Sequence, residues 1–381
     1  MTALSVGNSP AEKERCSHAE DIFKVEIIAS LEEWKNLAHI WNDFLASSRA
    51  DTIFLTWEWL FSWAECFLGQ NRQLFILTVY RNHELVGIAP WYINRVSRYG
   101  MPLRQIEFLG SPETGGDYPD VILKRGKEQE ITRILYRYLF HQACSHWDCL
   151  LLNDIPVDSL FLLFFQEEIE AEGKYAEIGR GSYCPMVNIP SGSEWFPPGC
   201  SSKRKARFHQ DLNRLMKSGE VVHTIEHGPD LPDALNRFFD FYGDKTGYNN
   251  CELQFFLKKF TAYSSDLNRI RIDRLQVRGK TVAAFLNLIY REDVLLYLMA
   301  VDRKFNSKIS AGNVLVGICL KQSHKEKRAR YDFLKGVEPY KFYWADSGRT
   351  SVRIFLAKPS ISVFVYFMME SLKRMAKMLW R

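Results

Sequence analysis

The sequence predicts a protein of two α/β (α+β) domains, each a mixed, twisted sheet flanked by helices. Three observations carry that expectation. The chain of 381 residues is longer than a single hydrophobic core organises, a limit of roughly 250 to 300 residues. Apolar residues make up 46% and charged residues 25%, the balance of a compact folded chain rather than a disordered or fibrous one. Helical and alternating patterns also run through the same order twice. "LTVYRNHELVGIAPWYI" (77–93) can be laid on "LQVRGKTVAAFLNLIY" (275–290), and "HWDCLLLNDIP" on "ARYDFLKGVEP". A repeat this long implies duplicated domains, since solenoid repeats are far shorter.

Residues 1–20 are polar and expected to be mobile. The first domain is expected over 21–190. It begins with a helix over Leu31–Ala46 and the aromatic helix "WEWLFSWAECF", followed by the strands "QLFILTVY" and "ELVGIAPWYI", which turn at "RNHE". "RQIEFLG" and "DVILK" read as short strands, "EQEITRILYRYLFHQAC" as an amphipathic helix and "WDCLLLNDI" as a buried strand. A loop rich in proline, glycine and serine follows, "PMVNIPSGSEWFPPG" (Pro185–Gly199), the best boundary or crossover in the chain. The crossover and a basic helix, "SSKRKARFHQDLNRLMKSG", occupy 191–219.

The second domain is expected over 220–358. "LPDALNRFFDFYGDKTG" and "CELQFFLKKFTAYS" read as helices, "RIRIDRLQVRGKTVAAFLNLIY" as a hairpin, "DVLLYLMAVD" as a strand, "AGNVLVGICLKQSHKEKRA" as a helix and "RYDFLKG" as a strand. Residues 359–381 read as an amphipathic helix that sets Lys373, Arg374, Lys377 and Arg381 against an apolar face.

Several function classes lose ground. A net charge of +5 does not announce a nucleic-acid binder. His223 and His227 lack partners at metal-ligand spacing, and no Ser-His-Asp context is present, so no metal is expected. The eight cysteines form no C-x-x-C pair and the N-terminus has no apolar leader, which points to a reduced, cytoplasmic protein; peripheral membrane contact through 359–381 stays open. Trp34, Trp41, Trp57, Trp59 and Trp63 lie at helical spacing among Leu and Phe and read as core.

Two segments can carry chemistry. In "LMAVDRKFNSKISAGNVLVGICL" a strand, a polar loop and a helix start follow one another. Free N–H groups at the helix start near Ser310 to Gly312, with Lys308, Arg303 and Lys304 nearby, suit a phosphate. The second is "YDFLKGVEPYKFYWA" (331–345), which places Asp332, Lys335, Glu338 and Lys341 among aromatic residues and would share that crevice. Burial beside opposite charge is how a side chain acquires a pKa suited to proton transfer.

These segments, with "FLTWEWLFSWAECF", the basic "KARFHQDLNRLMKSGEV" and the terminal Asp332, Phe333, Gly336, Tyr340, Lys341 signature, resemble the GNAT-type acetyltransferase family of cellulose and exopolysaccharide biosynthesis, often labelled CelD or BcsL. The likeness covers roughly residues 20 to 360. That family is similar in turn to the Fem-type peptidyltransferases, whose tandem GNAT domains take amino acids from aminoacyl-tRNA.

The resemblance implies tandem GNAT-like domains and acyl transfer from acyl-CoA, acetyl-CoA above all, to an amino-sugar or polysaccharide-linked acceptor. It places the donor pyrophosphate on Lys308 and Ser310–Asn313 of the second domain. The stretch Lys308–Gly312 has one glycine where the usual acetyl-CoA signature has a glycine-rich triplet. Backbone amides beside a strand bulge would receive the developing oxyanion. Asp332 or Glu338 would serve as base and Tyr340 as acid, while Lys335 and Lys341 would hold an anionic reactant. Asp117, Tyr118 and Asp120, on the glycine-rich loop "SPETGGDYPDVIL", would form an acceptor pocket. An aminoacyl-tRNA donor and a non-catalytic scaffold of a polysaccharide synthase are the alternatives; no nucleic-acid partner is expected except tRNA under the first of them.

Overall fold

The computed structural model describes residues 22–359, apart from 112 and 265–267, and a few isolated positions further on. The expected mobile start and most of the expected C-terminal helix therefore lie outside the described residues.

The first half begins with β1 (Phe23–Ile28). The helix expected over 31–46 is broken at Asn36–Leu37 into α1 (Leu31–Lys35) and α2 (Ala38–Ala46), and α3 (Trp57–Phe67) follows. Then come β2 (Arg72–Arg81), β3 (Glu84–Arg98), β4 (Met101–Phe108), the two-residue β5 (Ile122–Leu123), α4 (Glu128–Arg137), β6 (Cys149–Pro156), α5 (Leu160–Ala171) and β7 (Glu177–Asn188). The basic α6 (Ser202–Lys217) bridges to the second half. That half contains β8 (Val221–Glu226), α7 (Leu231–Thr246), α8 (Cys251–Tyr263), β9 (Ile270–Val277), β10 (Lys280–Tyr290), β11 (Asp293–Val301), α9 (Ala311–Lys325), β12 (Arg330–Asp332), α10 (Pro339–Trp344) and β13 (Ser347–Ala357).

All strands join one mixed sheet in the order β1-β2-β3-β4-β6-β13-β7-β12-β11-β10-β9-β8, with β5 on β3. Pairing is antiparallel except for β4 with β6 and β11 with β12. Apart from β5 and one additional helix in the first half, the halves run through the same order of elements, and each lends its last strand to the other. β7 pairs with β12 of the second half, β13 with β6 of the first, and the two exchanged strands pair with each other. Residues 185–188, expected in a loop, are thus the end of a strand in the middle of the sheet. Glycine makes this seam possible, since a Cβ on Gly181 would lie 2.4 Å from Ser351 Oγ and one on Gly348 2.3 Å from the Tyr183 hydroxyl.

Burial follows the helical and alternating patterns. Trp34, Trp41, Trp57, Trp59 and Trp63 are all buried, and Trp59 meets Phe256 and Phe260 of α8 edge-on at 4.8 and 5.1 Å. The aromatic helix of one half therefore packs on a helix of the other, in the arrangement that aromatic quadrupoles favour. On the opposite face α6 lies against α9, where Gly317 leaves room for the Phe208 ring. No helix among the described residues is long and apolar enough to cross a membrane.

Candidate active site

β11 and β12 pair over only three residues, Asp293 to Leu295 against Arg330 to Asp332. Beyond Leu295 the two strands part, and a cleft of about 1290 Å³ opens between them. Its walls are the end of β11 (Leu296–Val301), the 302–310 loop with the start of α9, the turn after β12, and the start of α10. Tyr242 and Lys245 of α7, Tyr248, Arg207 of α6, and Glu113 to Asp117 of the first half complete it. Ligands of open α/β sheets bind at this kind of position, beyond the carboxyl ends of parallel strands.

At the helix start, Ser310 makes no side-chain cap and the first turn of α9 carries no acidic residue. The N–H groups of that turn have no intrahelical partner, and the helix end is positive. Arg303 and Lys308 form no ion pair among the described residues and line the same wall. Gly312 lets α9 approach the sheet closely, because a Cβ there would lie 2.8 Å from Val301 Cγ2. Asn313 is held by Trp344, whose indole N–H donates to its Oδ1 at 2.7 Å. The equivalent helix of the first half, α4, begins with Glu128 and Glu130, the former buried. Carboxylates there already answer the helix charge that α9 leaves open.

The strand wall carries an irregularity. Leu286 faces Leu298 on β11 whereas Asn287 faces Leu296, so Tyr297 is an extra residue, a bulge that leaves backbone out of the ladder on the strand lining the cleft. The Tyr297 hydroxyl donates to the Thr114 carbonyl, anchoring the first-half loop to this strand.

The turn after β12 is held from several sides. Leu334 sits at φ 57 and Gly336 at φ 132, the former uncommon outside glycine and found where surrounding structure over-determines it. Asp332 Oδ1 accepts the Leu334 N–H at 2.7 Å, and the buried Lys341 ammonium donates to the carbonyls of Leu334 at 3.2 Å and Lys335 at 2.6 Å. With Glu338 Oε2 at 3.1 Å, all three donors of Lys341 are used. Lys341, expected to hold an anionic reactant, therefore braces the chain.

Lys335 is the freer cation. Its ammonium lies 3.4 Å from Asp117 and 3.7 Å from Asp154, and its amide donates to Asp117 Oδ2 at 2.8 Å. Burial raises the Asp117 pKa and the adjacent Lys335 charge opposes the rise.

Of the residues predicted for the site, Lys308, Ser310, Ala311, Gly312, Asn313, Asp117, Lys335, Glu338, Tyr340 and Lys341 line this one cleft. Asp332, Tyr118 and Asp120 do not. Asp332 is buried and accepts the Tyr118 hydroxyl at 2.7 Å, and burial pushes its pKa up to about 7. Asp120 is turned to the other side, where it accepts from Ser159 Oγ at 2.8 Å beneath the N-cap of α5. Burial carries its pKa up to about 7 as well. Glu338, at the start of α10, keeps a side chain 55% exposed. Burial raises the Tyr340 pKa further above its ordinary value, which already leaves a phenol protonated at neutral pH. Sequence reasoning missed Tyr242, Lys245, Tyr248 and Tyr297, which reach the cleft only through the packing of α7 and the bulge. Among the described residues no cluster of His, Cys, Asp and Glu is arranged to hold a metal ion.

Residues 202–342 match the family profile described as the acetyltransferase (GNAT) domain. None of the curated proteins matches the chain. Among solved structures it is similar to FemX, at 9% identity and a TM-score of 0.59, over 91% of this chain and 100% of that one. It is also similar to L-PGS from Bacillus licheniformis (10% identity, TM-score 0.50, 88% of this chain and 96% of that one). A conserved protein of unknown function from Bacteroides thetaiotaomicron matches at 11% identity and a TM-score of 0.50, covering 88% and 100%. The fold is thus the mixed α/β architecture of GNAT proteins, built here as two joined halves.

Proposed function

We propose that the chain is an acyltransferase that takes its acyl group from acyl-CoA, acetyl-CoA first among them, and delivers it to an amine on an amino-sugar or polysaccharide-linked acceptor, as the CelD/BcsL-like resemblance implies. The observation that carries the donor side is the uncapped, acid-free start of α9 opening into a cleft rimmed by Arg207, Arg303 and Lys308. That donor set fits a diphosphate, which backbone N–H groups and exposed cations bind together. When bound, acyl-CoA supplies the acyl group in activated thioester form.

The protein's own residues then have separable tasks. The bulge at Tyr297 offers unpaired backbone to the carbonyl oxygen as charge develops on it. Glu338, half-exposed at the rim, accepts the proton that the acceptor nitrogen sheds as the new C–N bond forms. Tyr340, a protonated phenol on the cleft wall, returns a proton to the departing sulfur. Lys335 orients an anionic group of either reactant. Asp332, engaged by Tyr118 and Leu334, shapes the turn that presents these groups.

The test is stabilisation of the purified chain by acetyl-CoA, longer acyl-CoAs and free CoA, with Ser310→Glu as the blocking variant. Glutamate at a helix start suits the helix charge, so the variant stays folded while its carboxylate occupies the anion position. At a hundredfold excess over Kd a specific ligand adds about 2.7 kcal/mol, and this gain should vanish in Ser310→Glu. An equal gain in the variant, or none with any CoA, refutes the donor assignment.

A second reading, an aminoacyl-tRNA donor, draws support from α6, whose Arg214 Nη1 bonds the Lys308 carbonyl at 3.3 Å and so joins a basic helix face to the cleft rim. Retardation of aminoacyl-tRNA at low salt, with a steep loss on adding salt, would favour it.

A further inference from the structure

A second cavity lies at the opposite end of α9, and its chemistry differs from that of the cleft. It encloses about 600 Å³ between the ends of β8 and β10, the start of β9, and the last turns of α9. Four arginines line it, Arg269, Arg271, Arg291 and Arg328, together with His227 and Gln322. The single carboxylate in the lining is Glu326.

That carboxylate is already shared. Arg271 Nη1 reaches both Glu326 oxygens at 3.1 and 3.2 Å, and Arg328 Nε reaches Oε2 at 3.0 Å. Arg271 also gives its Nε to the fully buried Asp273 at 2.9 Å, and Arg291 gives its Nε to Asp51 at 3.1 Å. Three carboxylates therefore answer four guanidinium groups. Arg269 is the cation left over: it forms no ion pair among the described residues, and its guanidinium lies 4.6 Å from the Tyr290 ring centroid. Arg291 sits over the same ring at 5.2 Å, which brings two like charges to one aromatic surface.

Arg271 sharpens the point. It is 4% exposed, yet its Nη2 finds no hydrogen-bond partner among the described residues. A buried guanidinium with an unmet donor is costly unless something satisfies it. The paired N–H groups of arginine match the oxygens of a phosphate, and Ile225, Ile270 and Ile289 supply an apolar wall beside them.

We infer that this arginine cavity is a binding site for a small phosphate-bearing molecule, separate from the cleft, with Arg269 as its principal free cation. The phosphate balances the surplus charge, and the isoleucine wall receives an apolar portion of the ligand. The site stands independently of the acyl-transfer reading, since no residue is shared between the two cavities.

The test is isothermal titration at constant ionic strength with inorganic phosphate and with phenyl phosphate. It is carried out on the full chain in a Ser310→Glu background, so that the helix start in the cleft does not contribute. Both probes should bind, phenyl phosphate the more tightly. Adding Arg269→Ala should weaken both by at least about tenfold, the loss of one charge-assisted contact, and Arg269→Lys should weaken them less. Arg269 makes only a ring contact, so the unliganded melting temperature of either variant should stay close to that of its parent. Heats that are unchanged by Arg269→Ala, or that sodium chloride reproduces at equal ionic strength, overturn the assignment. So does the absence of binding by both probes.

Discussion

Asp332→Asn turns the electrostatics of the strand turn into a measurable quantity. Asp332 is buried and its carboxyl is carried from 3.8 to about 7, chiefly by burial, with the Tyr118 hydroxyl and Leu334 amide opposing the rise. At about 1.4 kcal/mol per tenfold change in the proton equilibrium, the folded state disfavours the charged form by about 4 kcal/mol. Between about pH 4 and pH 7 the folded chain keeps this proton while the unfolded chain has lost it. The stability it contributes is therefore complete below pH 4 and falls as pH rises through 7. Roughly 2 to 3 kcal/mol of that fall belongs between pH 5 and pH 8.

Asparagine keeps an oxygen for the Leu334 amide but cannot ionise. Urea unfolding followed by tryptophan fluorescence should show the parent losing stability from pH 5 to pH 8, and Asp332→Asn losing about 2 to 3 kcal/mol less over the same interval. Asp120, carried up to about 7 in the same way, leaves the variant a residual slope of the same sign. If parent and variant fall equally between the two pH values, Asp332 is not protonated near neutrality and the reasoning fails.

Two further outcomes follow from packing. In Gly317→Ala the new methyl would lie 2.2 Å from the Phe208 ring, so α6 must shift off α9 at a cost of about 1 to 3 kcal/mol in thermal unfolding; an unchanged melting temperature would mean the contact yields freely. Lys341→Met fills the same space but leaves the Leu334 and Lys335 carbonyls without their donor. It should cost about 1 to 3 kcal/mol and weaken any reactant that depends on Lys335, and a variant as stable as the parent would show that the brace contributes nothing.

Much of the fold was legible locally. The aromatic helix, both hairpins, the basic helix and α9 all announce themselves by period, since their apolar faces meet a neighbouring layer directly. β7 did not. Its end, from Pro185, reads as the start of a proline-rich loop, and the two glycines before it weaken any strand signal; yet it runs between β13 and β12 because the glycines admit a neighbour's side chains at the seam. β1, β8, β13 and α10 were equally silent, being edge, exchanged or short elements whose signal arises from partners far along the chain; α5 was silent because its first six residues, "LFLLFF", are all apolar and show no helical period.

The candidate site divides in the same way. Helix-start chemistry and the crowded 331–345 segment are local properties, so Ser310 to Gly312, Lys335, Glu338 and Tyr340 could be picked out from the sequence, with Asn313 added by the family resemblance, and they fall in one cleft. Side chains three residues apart on one loop were not separable by that means. Asp117 faces the cleft while Asp120 faces Ser159, and this depends on how the loop crosses to the other half.

By itself, then, the sequence determined the repeated order of elements and the chemistry available at each strand end, because hydrophobic period and helix-terminus polarity act over a few residues. Only the tertiary structure decided that the halves exchange their last strands, that Tyr118 and Asp117 of one half clamp the turn of the other, and that Lys341 is a brace. The first two outcomes depend on which buried groups meet across well over a hundred positions of chain, and a contact of that range is selected by the satisfaction of the whole core rather than by any local pattern; the Lys341 brace spans only six or seven positions but forms only because that clamp folds the turn back over the ammonium.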